Sequence, residues 1–329
     1  MVNGIINIYK EAGFTSHDVV AKLRGIVKQK KIGHTGTLDP DATGVLPVCL
    51  GNATKLCDML TDKSKEYEAC MLLGVTTDTQ DMSGQVLTKQ EVCCTEEEAR
   101  AAVLSFIGGY DQIPPMYSAI KVNGKKLYEL ARNGVEIERK PRHVEIPDIT
   151  ILECALPEIR FRVSCSKGTY IRALCADIGD KLGCGAAMKS LIRTRVGNFH
   201  IEDAWKLSDV EKMVAEGTLL EHVVASDKVF MEYAKVNVKQ AFEKALANGN
   251  KLGLNQVDFE KKHELLDGEM IRVYSSRNVF TGVYTYVAQE KCLKPYKMFI
   301  LTDVFFANGG EIWDAQDSRR TDCFRLCRF

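Results

Sequence analysis

A loop with three glycines and one proline crosses residues 33–44 and leads into an uninterrupted apolar run at 45–50. Glycine and proline end regular structure, and a short apolar run that follows them is typical of a buried strand. Asp39 lies in the middle of this loop, immediately before Pro40. An aspartate in this setting either caps a turn or takes part in chemistry, and the residues alone leave both interpretations open.

Two familiar binding loops do not fit this segment. The Gly-x-x-x-x-Gly-Lys-Ser/Thr pattern of phosphate-binding loops is absent. A calcium loop that starts at Asp39 would need a bidentate glutamate at its twelfth position, where the chain has Leu50. The twelve cysteines form no Cys-x-x-Cys pair, so we expect reduced thiols and no structural zinc. The sequence therefore predicts neither a metal ion nor a cofactor.

The overall charge argues mildly against a nucleic-acid partner, because 44 basic residues are balanced by 44 acidic ones. The charges are nevertheless segregated along the chain. Five basic and no acidic residues lie between positions 19 and 38, and a second basic segment covers 121–142. Such a segment is more often a solvated face than a binding site, unless chemistry lies beside it.

The sequence has no apolar run of bilayer length and no secretion signal, which predicts a cytoplasmic protein without a membrane partner.

Hydrophobic periodicity predicts a mixture of strands and helices with a β-rich C-terminal part. We expect the helix that follows the loop at 11–15 to have Ser16 as its N-cap, and Arg193 and Arg195 to share one face of their strand. The expected strands are 4–9, 45–50, 65–74, 159–165, 191–196, 270–274, 280–287 and 298–306, and the expected helices are 16–27, 95–107, 125–132, 169–182 and 236–248.

Two residues in these elements are open to a functional or a structural interpretation. Arg172 lies in the first turn of its helix, where a cation is unfavourable unless a carboxylate or phosphate is close. A structural ion pair would satisfy it equally well. Tyr67 lies on the apolar face of its strand, where a core tyrosine is the ordinary interpretation.

Four segments resemble the signatures of TruB-type tRNA pseudouridine synthases, in the order and spacing of that family. They are 31–47, with Gly-His-Thr-Gly-Thr-Leu-Asp-Pro at its centre, 114–124, 127–132 and 165–172. Lys10, Gly13 and Ser16 match a further motif near the N-terminus, although Glu11 stands where the family usually has proline.

The resemblance implies an α+β pseudouridine synthase fold, with a mixed, mainly antiparallel central sheet flanked by helices and a small β-rich, PUA-like C-terminal domain. It implies a catalytic domain at 1–232 with a basic RNA-gripping insertion at about 121–143, a PUA-like domain at 233–300 and a tail of unknown role at 301–329.

The resemblance also implies roles for individual residues. Asp39 would be the essential nucleophile or base and Arg172 its ion-pair partner, while Tyr67 would stack on the target base. Further substrate contacts are expected from His34, which would help to hold the T-loop open, from Leu191 on the floor of the pocket, and from Lys10, Lys121, Lys125, Lys126, Arg132 and Arg142.

The expected activity is conversion of the T-loop uridine of tRNA, position 55 in tRNA convention, to pseudouridine by a monomer that binds the T-arm stem-loop. A tRNA-binding folding chaperone, with catalysis secondary, is the alternative. A guide-dependent relative that modifies rRNA is disfavoured, because the basic segment at 121–142 resembles the stand-alone bacterial enzymes.

Overall fold

The computed structural model describes residues 1–122, 124–261 and 264–299. The expected tail at 301–329, and the expected strand at 298–306 from residue 300 onward, lie outside these residues.

The N-terminal part of the chain contains the strands of the central sheet and three short two-stranded sheets. These strands are β1 (Gly4–Lys10), β2 (Ile32–His34), β3 (Thr43–Leu50), β4 (Lys65–Leu73), β5 (Val75–Thr77), β6 (Val86–Lys89), β7 (Gly108–Gln112), β8 (Lys121–Val122), β9 (Lys125–Lys126), β10 (Arg142–Ile146), β11 (Asp148–Ala155), β12 (Glu158–Cys165), β13 (Ala186–Val196) and β14 (Phe199–His200). The C-terminal strands are β15 (Ala234–Val238), β16 (Leu252–Gly253), β17 (Val257–Phe259), β18 (Met270–Tyr274), β19 (Phe280–Val287) and β20 (Cys292–Met298). The α-helices are α1 (Ser16–Val27), α2 (Cys57–Thr61), α3 (Glu96–Leu104), α4 (Leu127–Arg132), α5 (Ile171–Lys181), α6 (Leu207–Glu216) and α7 (Glu243–Ala247).

The central sheet has the strand order β1-β3-β13-β4-β12-β11, with β2 attached to β3 and β14 attached to β13. Strands β3 and β13 are parallel, and their neighbours in this sheet pair antiparallel. Helix α5 packs its apolar face against β13 and β4, and α3 packs against β11 and α5, while α1 and α6 pack against β1 and β3. The mixed, mainly antiparallel sheet flanked by helices is therefore confirmed.

A second sheet, with the order β16-β20-β19-β18-β15-β17, forms the C-terminal part of the described chain. Alternate residues of β15 and β18, among them Val236 and Val273, are fully buried in its core. The β-rich C-terminal domain is thus confirmed. Its PUA-like character and a domain boundary at residue 232 remain predictions.

Two expected helices contain strands. Residues 234–238 form β15, because the alternation of Val236 and Val238 with polar neighbours suits a half-buried strand, and only Glu243–Ala247 is α-helical. In the basic segment, Lys125 and Lys126 pair with β8 as a short hairpin, and the helix begins afterwards at Leu127.

Two side-chain expectations are also corrected. The N-cap of α1 is Thr15, which forms a reciprocal capping box with Asp18, while Ser16 points inward and its Oγ accepts the Leu38 N–H at 2.9 Å. Arg193 and Arg195 lie on opposite faces of β13, because a register shift between them changes the alternation.

Within the residues that the structure describes, none of the helices has the length and apolar character that crossing a lipid bilayer requires.

Candidate active site

The loop that carries Asp39 connects β2 to β3 at the point where β3 meets β13. Gly44 pairs with Arg193 across this parallel junction and has a φ of 103°. A Cβ at this position would lie 2.2 Å from the Arg193 carbonyl oxygen, so only glycine permits the two backbones to approach. The C-terminal end of the loop is therefore held directly against β13.

The side chain of Arg193 also holds the Asp39 loop in place. Its side chain is almost fully buried, at 1% exposure, and its Nε donates to the Val45 carbonyl at 2.7 Å. Its Nη2 donates to the Gly36 carbonyl at 3.2 Å. Because the two carbonyls lie on either side of Asp39 in the chain, Arg193 ties both ends of the loop to β13.

Lys10 supports the middle of the loop from a buried position. It is fully buried, and its ammonium donates to the carbonyls of Glu11 (3.1 Å), Phe14 (2.5 Å) and Pro40 (2.8 Å). Burial lowers the pKa of Lys10 to about 8. Lys10 therefore has structural contacts in the protein, and its expected substrate contact stays a prediction. The Gly13 N–H also donates to the Pro40 carbonyl, so the loop keeps its anchorage although Glu11 stands in place of proline.

Asp39 and Arg172 form a two-point ion pair. Arg172 Nε lies 3.0 Å from Asp39 Oδ2, and Arg172 Nη2 lies 3.3 Å from Asp39 Oδ1. The Asp39 side chain is 40% exposed and that of Arg172 only 6%, so the carboxylate faces an opening while its partner is enclosed. Two-point pairing fixes the plane of the carboxylate as well as its position.

Arg172 is shared with a second carboxylate that the sequence analysis did not single out. Its Nη1 lies 3.4 Å from Asp81 Oδ2 and donates to the Thr79 carbonyl at 3.1 Å, while its Nη2 also donates to the Tyr117 carbonyl at 2.8 Å. We name the Asp39–Arg172–Asp81 arrangement the charge chain. No motif in the sequence links the segment around Asp81 to α5, so the fold alone brings these groups together.

Burial dominates the electrostatics of Asp39. It raises the pKa of the carboxyl above its usual range, Arg172 opposes the rise, and Asp81 adds to it. The arginine thus preserves the ionised form in a setting that disfavours it, and the carboxylate is more basic than an exposed aspartate.

Tyr67 and Leu191 form an apolar wall beside the Asp39 loop. Each is 8% exposed, and both pack in one cluster with Leu38 and Ala42, which flank Asp39 in the chain. Burial raises the pKa of the Tyr67 phenol, an effect that Arg193 opposes. The wall therefore offers a neutral aromatic ring and an aliphatic side chain.

His34 lies on β2 at the start of the loop. Its Nδ1 accepts the Gly36 N–H at 3.3 Å, and its ring centroid lies 6.2 Å from that of His17 in an edge-on arrangement. Burial lowers the pKa of His34, assisted by His17 and Arg193, which favours the neutral imidazole.

Most of the described residues of the basic insertion, residues 121–142, are exposed, and the insertion adjoins the charge chain through the segment that precedes it. The Leu127 N–H donates to the Ile120 carbonyl and the Tyr128 N–H to the Ser118 carbonyl. These contacts attach α4 to the segment whose Tyr117 carbonyl accepts from Arg172. Exposed cations on the insertion include Lys121, Lys125, Arg132, Lys140 and Arg142, while the side chain of Lys126 lies outside the described part.

Other parts of the molecule are weaker candidates for a functional site. A cavity of about 480 Å³ is lined by residues that include Phe199, Trp205 and His222, and none of the residues predicted for the site lines it. Among residues 1–122, 124–261 and 264–299, no three His, Cys, Asp or Glu side chains are grouped to hold a metal ion.

Comparison with known proteins gives consistent matches over most of the chain. Residues 24–171 match the TruB family pseudouridylate synthase (N terminal domain), and residues 172–229 match the tRNA pseudouridylate synthase B C-terminal domain. The chain is 56% identical to tRNA pseudouridine synthase B of Lachnoclostridium phytofermentans, over 91% of this chain and 100% of that protein. It is 48% identical to the protein of the same name from Alkaliphilus oremlandii, over 85% and 92% of the two chains.

Two solved structures share the fold across nearly the same extent. A chain of a Cbf5-Nop10-Gar1 complex matches with a TM-score of 0.70 and 28% identity, over 91% of this chain and 86% of that one. A chain of an H/ACA RNP bound to a substrate RNA containing 2'-deoxyuridine matches with a TM-score of 0.69 and 26% identity, with the same coverage.

Proposed function

Because this chain belongs to the TruB family and is a tRNA pseudouridine synthase, we propose that it isomerises the T-loop uridine at position 55 of tRNA, with Asp39 as the nucleophile or base. The observation that carries the proposal is the ionisable carboxylate of Asp39, which is partly exposed and held at two points by a buried arginine. The enzyme acts in the cytoplasm on the T-arm stem-loop.

The reaction breaks the bond between ribose C1' and uracil N1, rotates the base and joins C1' to C5. The C5 proton is lost and N1 gains one, so no metal or redox chemistry is needed for the balance. A single carboxylate is enough for this reaction. It acts either as a nucleophile that attacks C1' or as a base that removes a proton. Glycosidases use two carboxylates because they protonate a leaving group and deliver water, whereas here the base stays bound.

The residues around Asp39 suit these demands. Arg172 keeps the carboxylate ionised and oriented, and Asp81 with two backbone carbonyls holds Arg172 in place. Tyr67 and Leu191 line the side of the pocket on which the uracil ring stacks. The apolar wall also limits the access of water to C1'. Water at this position would hydrolyse a reactive intermediate.

The target uridine must leave its stacked position in the T-loop before Asp39 can reach it, at a cost of a few kcal/mol. The exposed cations of the basic insertion contact the phosphates of the T-arm and provide binding energy for this step. His34, neutral and placed at the start of the Asp39 loop, contacts the opened T-loop.

The choice of tRNA as substrate is supported by identities of 44–56% to proteins named tRNA pseudouridine synthase B. The identities to the H/ACA and Cbf5 chains are lower, at 26–28%. We therefore expect activity on a T-arm hairpin without any guide RNA.

The experiment uses T-arm hairpins that carry 5-tritiated uridine either at position 55 or at another loop position. The wild-type protein should release tritium only from the first hairpin. Asp39→Asn should abolish release, while Asp258→Asn, an exposed aspartate of the C-terminal sheet, should leave it unchanged. Retention of the label at position 55, or release by Asp39→Asn at the wild-type rate, would refute the proposal. The chaperone alternative would stand if the wild type released no tritium and Asp39→Asn still refolded tRNA.

A further inference from the structure

The side chain of Gln112, at the end of β7, holds both backbone polar groups of Tyr170. Its Oε1 accepts the Tyr170 N–H at 2.8 Å, and its Nε2 donates to the Tyr170 carbonyl at 3.0 Å. Gln112 is 1% exposed. The direction of its amide is fixed, because Nε2 also lies 2.5 Å from the Tyr110 hydroxyl, which lies 3.2 Å from the Asp177 carboxylate and donates to it.

Tyr170 is the N-cap of α5, and Arg172 lies in the first turn of that helix. In the described part of the chain, Tyr170 makes no capping hydrogen bond with its own side chain, and the first turn contains no acidic residue. A cation in this turn also faces the positive end of the helix dipole. The start of α5 therefore depends on an external partner, and Gln112 supplies it.

The segment that begins at Gln112 also contacts Arg172 directly. Five residues further along, the Tyr117 carbonyl accepts from Arg172 Nη2 at 2.8 Å. One stretch of chain thus holds the backbone at the start of the helix and the guanidinium that the helix carries.

Strand β10, the neighbour of β7 in its two-stranded sheet, carries Arg142, one of the predicted RNA contacts. Gln112 is paired directly with Arg142 in the two-stranded sheet of β7 and β10. Arg142 itself is exposed. Three steps therefore connect β10 to the charge chain. Arg142 pairs with Gln112, the Gln112 amide binds Tyr170, and Arg172 follows two residues later.

We propose that Gln112 is a positioning residue that fixes the start of α5 to the sheet of β7 and β10 and thereby holds Arg172 against Asp39. This inference rests on the proposed function, since it takes Asp39 as the reacting group and Arg142 as an RNA contact. Gln112 pairs with Arg142 across the sheet and acts on Asp39 through the start of α5 and Arg172. Its effect on the rate arises because displacement of a charged group by about 1 Å can cost up to about 100-fold in catalysis.

The experiment compares Gln112→Met with Gln90→Met. Methionine has the length of glutamine and lacks both hydrogen-bonding groups, and Gln90 has an exposed side chain outside the site. Single-turnover tritium release from the position-55 hairpin, measured across pH, gives the rate and its acidic limb. We expect Gln112→Met to lower the maximal rate about tenfold, to change hairpin Kd by less than about twofold, and to move the acidic limb to higher pH.

The shift of the acidic limb follows from electrostatics: Arg172 lowers the pKa of Asp39, so a loosened arginine lets that pKa rise. A purely structural role of Gln112 would lower Tm and the fraction of active enzyme but leave the acidic limb where it is in the wild type. Gln112→Glu keeps the acceptor for the Tyr170 N–H and loses the donor to the Tyr170 carbonyl. Its rate and acidic limb should therefore fall between those of the wild type and of Gln112→Met.

A Gln112→Met enzyme with the wild-type acidic limb would overturn the inference. Should that variant not fold, Gln112→Glu decides alone: an intermediate shift supports the inference and a wild-type limb overturns it. Failure of the proposed function would look different, because the wild-type protein itself would then release no tritium from position 55.

Discussion

The charge chain and the basic insertion use cations in opposite ways. Arg172 is 6% exposed and makes contacts with two carboxylates and two backbone carbonyls, so its position is fully determined by the protein. Lys121, Lys125 and Arg142 are exposed to solvent. A buried, paired cation sets the geometry and the pKa of its partner, whereas an exposed cation adds affinity for a polyanion that is screened by salt. Rate and affinity should therefore depend on different residues.

The largest effect is expected from a change in the charge chain at Arg172. Arg172→Lys keeps the charge but loses the planar fork that binds Asp39 at two points. We expect the single-turnover rate of tritium release to fall about 100-fold, equivalent to about 2.7 kcal/mol, with hairpin Kd nearly unchanged.

The matched control for Arg172→Lys is Arg160→Lys, an exposed arginine of β12 that is paired with Glu153. It should retain the wild-type rate. A similar loss in both variants would mean that the charge chain has no special role.

A smaller effect is expected at Asp81, with a pH dependence of opposite sign. Asp81→Asn removes the second carboxylate from Arg172 and should lower the rate about tenfold, since the guanidinium is then less firmly oriented. Arg172 binds Asp39 through Nε and Nη2, which Asp81 does not contact, so both of these contacts remain in the variant. Asp81 raises the pKa of Asp39, so its neutralisation lowers that pKa and moves the acidic limb to lower pH. The pH profile of single-turnover tritium release measures both quantities.

Asp148→Asn, on the edge strand β11, is the control for the Asp81 variant. An acidic limb that moves to higher pH in Asp81→Asn would contradict the assigned electrostatics.

The smallest effect on the rate is expected from the insertion. Alanine at Lys121, Lys125, Arg132 or Arg142 should weaken hairpin binding several-fold and reduce the slope of log K against log salt by about 1 for each lost phosphate contact. The rate at saturating enzyme should stay at the wild-type value. Filter binding at several salt concentrations provides the measurement. A variant with unchanged salt dependence would remove its residue from the RNA-binding surface.

Local pattern was sufficient to predict the strands whose apolar runs are bounded by turns, such as β3 and β4, and the helix α3 with its capping box. It failed at β15, where two valines alternate over a run too short to separate a strand from a helix. It also failed at Arg193, because a register shift in β13 cannot be read from periodicity.

The candidate site divides in the same way. Asp39 and Arg172 were predicted because they lie in segments with recognisable motifs, and the structure places them in contact. The role of Tyr67 was implied by the family resemblance, since it lies outside these segments. Asp81 and Gln112 were not predicted, because each acts through a contact with α5 that is distant in sequence, 91 and 58 residues away. The burial of Lys10 was missed because a lysine at the end of a strand is ordinarily exposed.

The separation of rate from affinity is tested most directly by single-turnover tritium release at increasing enzyme concentration. The two proteins to compare are Asp39→Asn and a fourfold variant with alanine at Lys121, Lys125, Arg132 and Arg142. We predict that the fourfold variant reaches the wild-type rate once the hairpin is saturated, while Asp39→Asn releases no tritium at any concentration although it binds with wild-type Kd. A fourfold variant whose rate stays low at saturation, or an Asp39→Asn protein that recovers turnover, would contradict this division between the charge chain and the basic insertion.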